Sequence, residues 1–470
     1  MKGDRPVRAL LLAVALGTAA LGVVAQTSPV AAVVPTCTLC AGGEYQPLRV
    51  PVRVFSTITN TNDVAPIGRK AIGVGAGTAF SIDLLGLGAP TFAPRWLPNT
   101  VTAAGDVLGA MVSVTVQAPT HSGSLTAYAT GSAKPIASSV NFVAGRSVSN
   151  TVLVRTNSAG RLTVSLAGTS AGLAHVTIDV LGWFSASSFT NGTPDDLSDE
   201  RGARLTNITR KRVLDTRNGA AADTPIGPGA TLTLPITGAP TGAVAVLVNL
   251  TAIQPTATTM LAVVPTALKP GRAPGTQNLN IRAGATQSVL VPARIGPDGR
   301  VRIYNRSGNT NVMVDVLGYF TGGALETTRA GRVVPLTVPF RSFDTRVAAF
   351  GKVPLGPGQA EDWSFAAFSN SVNIGGSPLG KQTALLGNLT NASLARSIST
   401  VPVNSSLTMY PKPSVAGTKP PIITNLSSAE GSPVSNLTVA TFDAKQIVRV
   451  YNAKGYAHYA FDVYAVVLGD

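Results

Sequence analysis

The stretch Val312-Met313-Val314-Asp315-Val316-Leu317-Gly318-Tyr319-Phe320 decides the fold. Val312, Val314 and Val316 alternate with Met313, Asp315 and Leu317, the period of two that marks a strand with two faces. Its β-branched residues suit a pleated surface. An aspartate interrupts the apolar run. A carboxylate in that place must be exposed or paired, because burying it alone is costly.

Outward from this strand, the same pattern recurs on both sides. Ile178-Asp179-Val180-Leu181-Gly182-Trp183-Phe184 is one copy, and Phe461-Asp462-Val463-Tyr464-Ala465-Val466 is another. Each copy closes a unit that opens on a basic strand. The openings are Arg53-Val54-Phe55-Ser56-Thr57-Ile58, Arg212-Val213-Leu214-Asp215-Thr216-Arg217 and Arg341-Ser342-Phe343-Asp344-Thr345-Arg346. Two inner stations align as well. Leu125-Thr126-Ala127-Tyr128 matches Leu261-Ala262-Val263-Val264 and Leu407-Thr408-Met409-Tyr410. Val140-Asn141-Phe142 matches Leu279-Asn280-Ile281 and Leu426-Ser427-Ser428. Four stations in one order, three times over, mean internal repetition.

Short strands separated by turns such as Pro297-Asp298-Gly299 and Ser307-Gly308-Asn309 point to antiparallel pairing. Charged residues are 13% of the chain, against about 25% in ordinary domains. That argues against coiled coils and long solvated helices. The expected fold is all-β: three tandem antiparallel β-sandwich or barrel-like modules after an N-terminal signal peptide. The expected divisions are a signal peptide 1–25, an N-terminal segment 26–48, module one 49–186, an acidic linker 187–208, module two 209–321, a linker 322–335 and module three 336–470. The acidic linker holds Asp195, Asp196, Asp199 and Glu200.

The signal reading rests on Lys2, Arg5 and Arg8, then apolar Ala9 to Val24, then small residues at Val23-Val24-Ala25. The apolar run is short for a membrane span, which needs ~20 residues; an uncleaved anchor is the alternative. No later segment reads as transmembrane. Cys37-Thr38-Leu39-Cys40 fits a local disulfide in an exported chain. A redox pair, half a zinc site and intermolecular thiols are the competing readings.

The R-V-L-D-T-R opening and D-V-L-G-Y-F close resemble modules of secreted proteins from high-GC Gram-positive, actinobacterial species. Arg212, Asp215, Thr216, Arg217, Asp315, Gly318, Tyr319 and Phe320 carry the resemblance, with Arg341, Asp344, Thr345, Arg346 and Asp462 in the third unit. Ser56 and Ile58 depart from it in the first, and Tyr464-Ala465-Val466 in the third. The resemblance implies a surface-exported β module and brings no reaction with it.

The repeated charges read as a structural framework. Arg53, Arg212 and Arg341, or the Asp-Thr-Arg arginines Arg217 and Arg346, are expected to pair Asp179, Asp315 and Asp462, with Asp215 and Asp344 alongside. A guanidinium can hold a carboxylate through two parallel hydrogen bonds. Gly168-Thr169-Ser170-Ala171-Gly172 has the Gly-x-Ser-x-Gly spacing, but aligns with Asn305–Thr310 and so reads as a hairpin turn, not a nucleophile elbow. His175 and His458 precede the closing Asp by four residues, about 13 Å along a strand, too far to pair with it. His121 lies in a loop. Asn249 and Asn388, both in Asn-x-Thr, read as structural residues. No metal or phosphate motif occurs, so no cofactor, no metal and no catalytic residue is expected.

The net charge of +15 suits anionic wall polymers, polysaccharide or other envelope proteins. Nucleic acid is not expected, since no basic run exceeds Arg210-Lys211-Arg212 and no aromatic-interleaved basic stripe occurs. Trp183 aligns with Tyr319 and reads as packing; Trp96 and Trp363 have no counterparts and are candidate platforms for stacking on sugars. The expected function is non-enzymatic: a secreted or cell-surface protein, structural or adhesive at the envelope. The alternative is a carbohydrate- or wall-polymer-binding protein. A more remote one is a secreted hydrolase with an unrecognised site.

Overall fold

Each opening strand lies against the closing strand of its own repeat, because an arginine on one faces an aspartate on the other. In this computed structural model Arg53 pairs in register with Asp179, Arg212 with Asp315 and Arg341 with Asp462. The structure describes residues 8–9, 42–58, 72–74, 78–86, 96–98, 101, 103–168, 172–186, 189, 202–218, 224–322, 329–351, 353–371, 373–374, 377–378, 381–394, 405–428 and 433–469.

The second repeat shows the connectivity. Its strands are the split opening strand Arg204–Thr206 and Lys211–Asp215, then Thr231–Pro235, Ala243–Ile253, Thr259–Val264, Leu279–Ile281, Thr286–Arg294, Arg300–Asn305 and the closing strand Asn311–Thr321. One sheet orders them first, eighth, third, sixth; the other orders them second, seventh, fourth, fifth. The flanking repeats follow the same two orders. The remaining pairing is peripheral: Ile72–Val74 joins the first closing strand, Asn373–Ile374 pairs with Ser377–Pro378, and Arg8–Ala9, within the segment read as a signal peptide, pairs in parallel with Trp363–Ser364. The longest helix among the described residues is Ala366–Ser371, and none is long and apolar enough to cross a membrane.

The all-β class and the antiparallel pairing are as expected. The organisation into three tandem sandwich modules is corrected: six small antiparallel sheets form a propeller-like ring. The physical reason is that the long sheets are apolar on both faces. One face of the second repeat's long sheet packs against its own short sheet through Val248, Leu250, Val263 and Ile303. The other face, with Leu247, Leu290 and Phe320, joins Leu386, Leu437 and Val467 of the third repeat and the core of the first. Separate modules would leave those faces wet.

A bulge in each closing strand directs this. The register skips Leu181, Leu317 and Tyr464. A bulge adds one unpaired residue and re-aims its side chain. Leu181 thereby packs into the core of the second repeat, while Leu317 and Tyr464 turn into the central cluster. At Gly182 a Cβ would lie 2.3 Å from the Tyr45 hydroxyl, so only glycine fits.

The opening strands begin at Glu44, Arg204 and Val333, inside segments read from sequence as N-terminal or linker. There they meet. Gly43 pairs with Val333 and Tyr45 with Ala203, and the Leu205 N–H reaches the Gly331 carbonyl at 2.8 Å. The Glu44 carboxylate accepts from Arg204 at 3.0 Å and Arg332 at 3.2 Å, one residue from each repeat. The Gly-x-Ser-x-Gly stretch is also corrected. Arg161–Gly168 and Gly172–Ser185 belong to different sheets, so these two strands are not the arms of one hairpin. Residues 169–171, Cys37, Cys40 and the acidic stretch 195–200 lie outside the described residues.

Candidate functional site

The closing aspartates are fully buried, and each is held twice. Within its repeat, Arg53 donates to Asp179 at 2.7 and 3.0 Å, Arg212 to Asp315 at 2.8 and 3.2 Å, and Arg341 to Asp462 at 2.8 and 3.1 Å. From the next repeat a backbone N–H completes the shell. Gln277 donates to Asp179 at 3.0 Å, Thr424 to Asp315 at 3.0 Å, and Ser138 to Asp462. Those three residues occupy one station, two before the fifth strand. The contacts run from repeat two to one, three to two and one to three, so the ring closes on itself.

The strand beside each aspartate answers the same segment. Ser113 donates to the Gln277 carbonyl at 2.8 Å, Asn388 to the Ser138 carbonyl at 3.0 Å, and Asn249 to the Thr424 carbonyl. A second line of bonds follows the seam. Thr115–Ser149, Thr251–Ser288 and Thr390–Ser435 each lie 2.8 Å apart. The serines accept from the adjoining repeat: Ser149 from Asn280 at 2.7 Å, Ser435 from Asn141 at 2.8 Å, and Ser288 from the Ser427 N–H at 3.2 Å. The seams were not readable as such, because most of their bonds have a backbone group at one end.

Burial pushes the carboxyls of Asp179, Asp315 and Asp462 up from the ordinary range, against the pull of their arginines and the neighbouring amides. The Asp-Thr-Arg corners behave oppositely. Arg217 holds Asp215 below the ordinary range. At Asp344 burial opposes the charge, but Arg346 and Arg341 outweigh it and the carboxyl is lowered. The corner arginines thus serve the corner aspartates, at 2.7 Å for Arg217–Asp215 and 2.6 Å for Arg346–Asp344. The corner threonine ties down the end of the closing strand: Thr57, Thr216 and Thr345 each accept the N–H of Val176, Val312 or Tyr459 at 2.9 Å. The same hydroxyls meet His175 at 3.2 Å, Asn311 at 3.0 Å and His458 at 3.2 Å. The histidines therefore fill a strand-end position.

The stacking platforms are corrected. Trp363 is 0% exposed, stacked on Phe343 at 4.3 Å, with its indole N–H donated to the Tyr459 hydroxyl at 2.9 Å. Trp96 is 8% exposed and donates to the Leu84 carbonyl at 2.8 Å. Each lacks a counterpart because it plugs one repeat's core, and neither presents a face to a sugar. Trp183 is buried as packing.

Cavities lie at the seams. One, of about 390 Å³, lies where all three repeats meet and is lined by Asn141, Arg146, Gln277, Arg282, Gln287 and Val434 among others. Another, of about 800 Å³, lies between repeats two and three. No group of three or more His, Cys, Asp or Glu among the described residues could hold a metal ion.

No family model and no curated protein matches the chain. Among solved structures, "The Triple Jelly Roll Fold and Turret Assembly in an Archaeal Virus" is 11% identical at a TM-score of 0.16, covering 89% of this chain and 91% of that one. The Sulfolobus Turreted Icosahedral Virus structure is 10% identical at 0.16, covering 89% and 96%. The tandem CBM22 domains of Paenibacillus barcinonensis Xyn10C are 11% identical at 0.16, covering 59% and 99%. At such scores these likenesses carry no argument.

Proposed function

We propose that this chain is a non-enzymatic, exported protein of the cell envelope, with a structural or adhesive role. One observation carries the reading. The charged residues repeated in every unit are all engaged in holding the ring, Arg to Asp within a repeat and Asp to backbone N–H across a seam. Repetition here serves cohesion. His175 and His458 are engaged with the corner threonines at the strand ends. The secretory signal read in 1–25 and the actinobacterial resemblance supply the compartment.

Fractionation of cells producing the full chain tests the reading, followed by pull-down of the secreted form on purified cell walls across a salt series. Export, followed by retention on walls, supports it. Retention in the cytosol, or hydrolysis of a wall polymer or ester panel by the purified protein, overturns it.

A further inference from the structure

The cavity between repeats two and three is unlike the seams around it. Its volume of about 800 Å³ falls in the range of small-molecule sites. Arg210, Lys381, Lys412 and Lys419 line it, against Asp443 as the one acid in the lining. Asp443 is already engaged, accepting the backbone N–H of Lys445 at 2.9 Å and of Ile447 at 2.7 Å. Lys412 is shared with Asp362 at 3.0 Å, which Arg449 also holds. Lys381 and Lys419 are exposed and form no ion pair among the described residues.

Two buried groups sharpen the picture. Arg210 is 8% exposed and meets no carboxylate among the described residues. Its guanidinium donates to the Met409 and Val439 carbonyls and to Thr441 Oγ1 at 2.9 Å. Those are neutral acceptors, so its charge persists in the wall. Gln382 is 2% exposed, and neither its amide oxygen nor its amide nitrogen has a hydrogen-bond partner among the described residues. A buried amide left unbonded is costly. It can both donate and accept, as a sugar hydroxyl does. Tyr410 and Phe442 add apolar faces to the same lining.

We propose that this cavity is a binding site for an anionic saccharide, a hydroxyl-rich chain bearing carboxylate or phosphate. The lysines and Arg210 supply the field for the anion, and Gln382 the hydroxyl recognition. This inference stands apart from the structural role above, which rests on the clamps.

Calorimetric titration of the full chain tests it, with trigalacturonic acid, glycerol 3-phosphate and neutral maltotriose as probes. The expected result is binding of an acidic probe at least ten times tighter than maltotriose. Trigalacturonate alone names carboxylate as the anion, and glycerol phosphate alone names phosphate. The exposed pair Lys381→Gln with Lys419→Gln should weaken the acidic probe at least tenfold at an unchanged melting temperature. Gln382→Met should weaken it also, while the free protein melts no lower than the parent. Equal affinity for acidic and neutral probes overturns the proposal. So does no binding, or variants that bind like the parent.

Discussion

Arg210, in the break of the split opening strand, and Arg212, on its second half, are two residues apart and live under opposite rules. Arg212 holds a fully buried carboxylate and belongs to a set written three times. Arg210 is buried among carbonyls and stands where the other repeats have Pro51 and Pro339. Burial lowers its pKa to about 10, so it stays charged at neutral pH. The comparison separates charges that hold the ring from a charge that the ring merely tolerates.

Replacement of each by methionine should break the comparison most sharply. Arg212→Met leaves Asp315 buried without its cation, and removing one partner of a buried pair costs about 3–5 kcal/mol. Denaturant unfolding should register that loss. Asp315→Asn should be comparably damaging, since it also weakens the bond from Thr424; an unfolding curve like the parent's would sink the clamp. Arg210→Met should change stability by less than about 1 kcal/mol, or raise it, because no buried acid is orphaned.

Acid should sharpen the difference between clamps and corners. Asp344 and Asp362 are held below the ordinary range despite their burial, through Arg346 and Arg449 respectively. Their folded pKa lies under the unfolded value of about 3.9. Their contribution is therefore complete above that value and is lost as pH falls through the folded pKa. The clamp aspartates have the opposite sign: raised in the folded state, they favour folding at low pH and lose that as pH rises through their folded pKa. Melting temperature followed below pH 4 should fall, and Asp344→Asn should flatten the fall. No flattening would mean that the corner contributes nothing.

Smaller effects are expected where water still reaches. Glu44→Gln loosens the three-way contact with Arg204 and Arg332, at about 1 kcal/mol. Thr216→Val removes the acceptor for the Val312 N–H, again about 1 kcal/mol. Both belong in chemical unfolding curves, where a loss as large as that of Arg212→Met would erase the ranking.

The pairing of Arg212 with Asp315 was legible because an aspartate inside Val-Asp-Val has few physical options. The ring was not. Its seams use the backbone N–H groups of Gln277, Thr424 and Ser138, and a backbone donor leaves no mark on residue type. The turn at Ser307-Gly308-Asn309 announces a reversal without saying which sheet the next strand joins. Trp363 was misread because a residue without a counterpart looked free, whereas its strand faces Phe343. The same lack of counterpart at Arg210, where the other repeats have Pro51 and Pro339, does mark a difference between the seams.

The closed order of the seams has a consequence for how such a molecule can change. Three separate copies assembled as a trimer would write any substitution into all three contacts at once. A single covalent chain writes it into one. Tethering also makes each docking step intramolecular, at effective concentrations that reach millimolar for short flexible links. One contact can therefore be weakened or altered while the other two keep the circle shut. Arg210, present at one seam and proline at the corresponding place in the others, is a change of that kind.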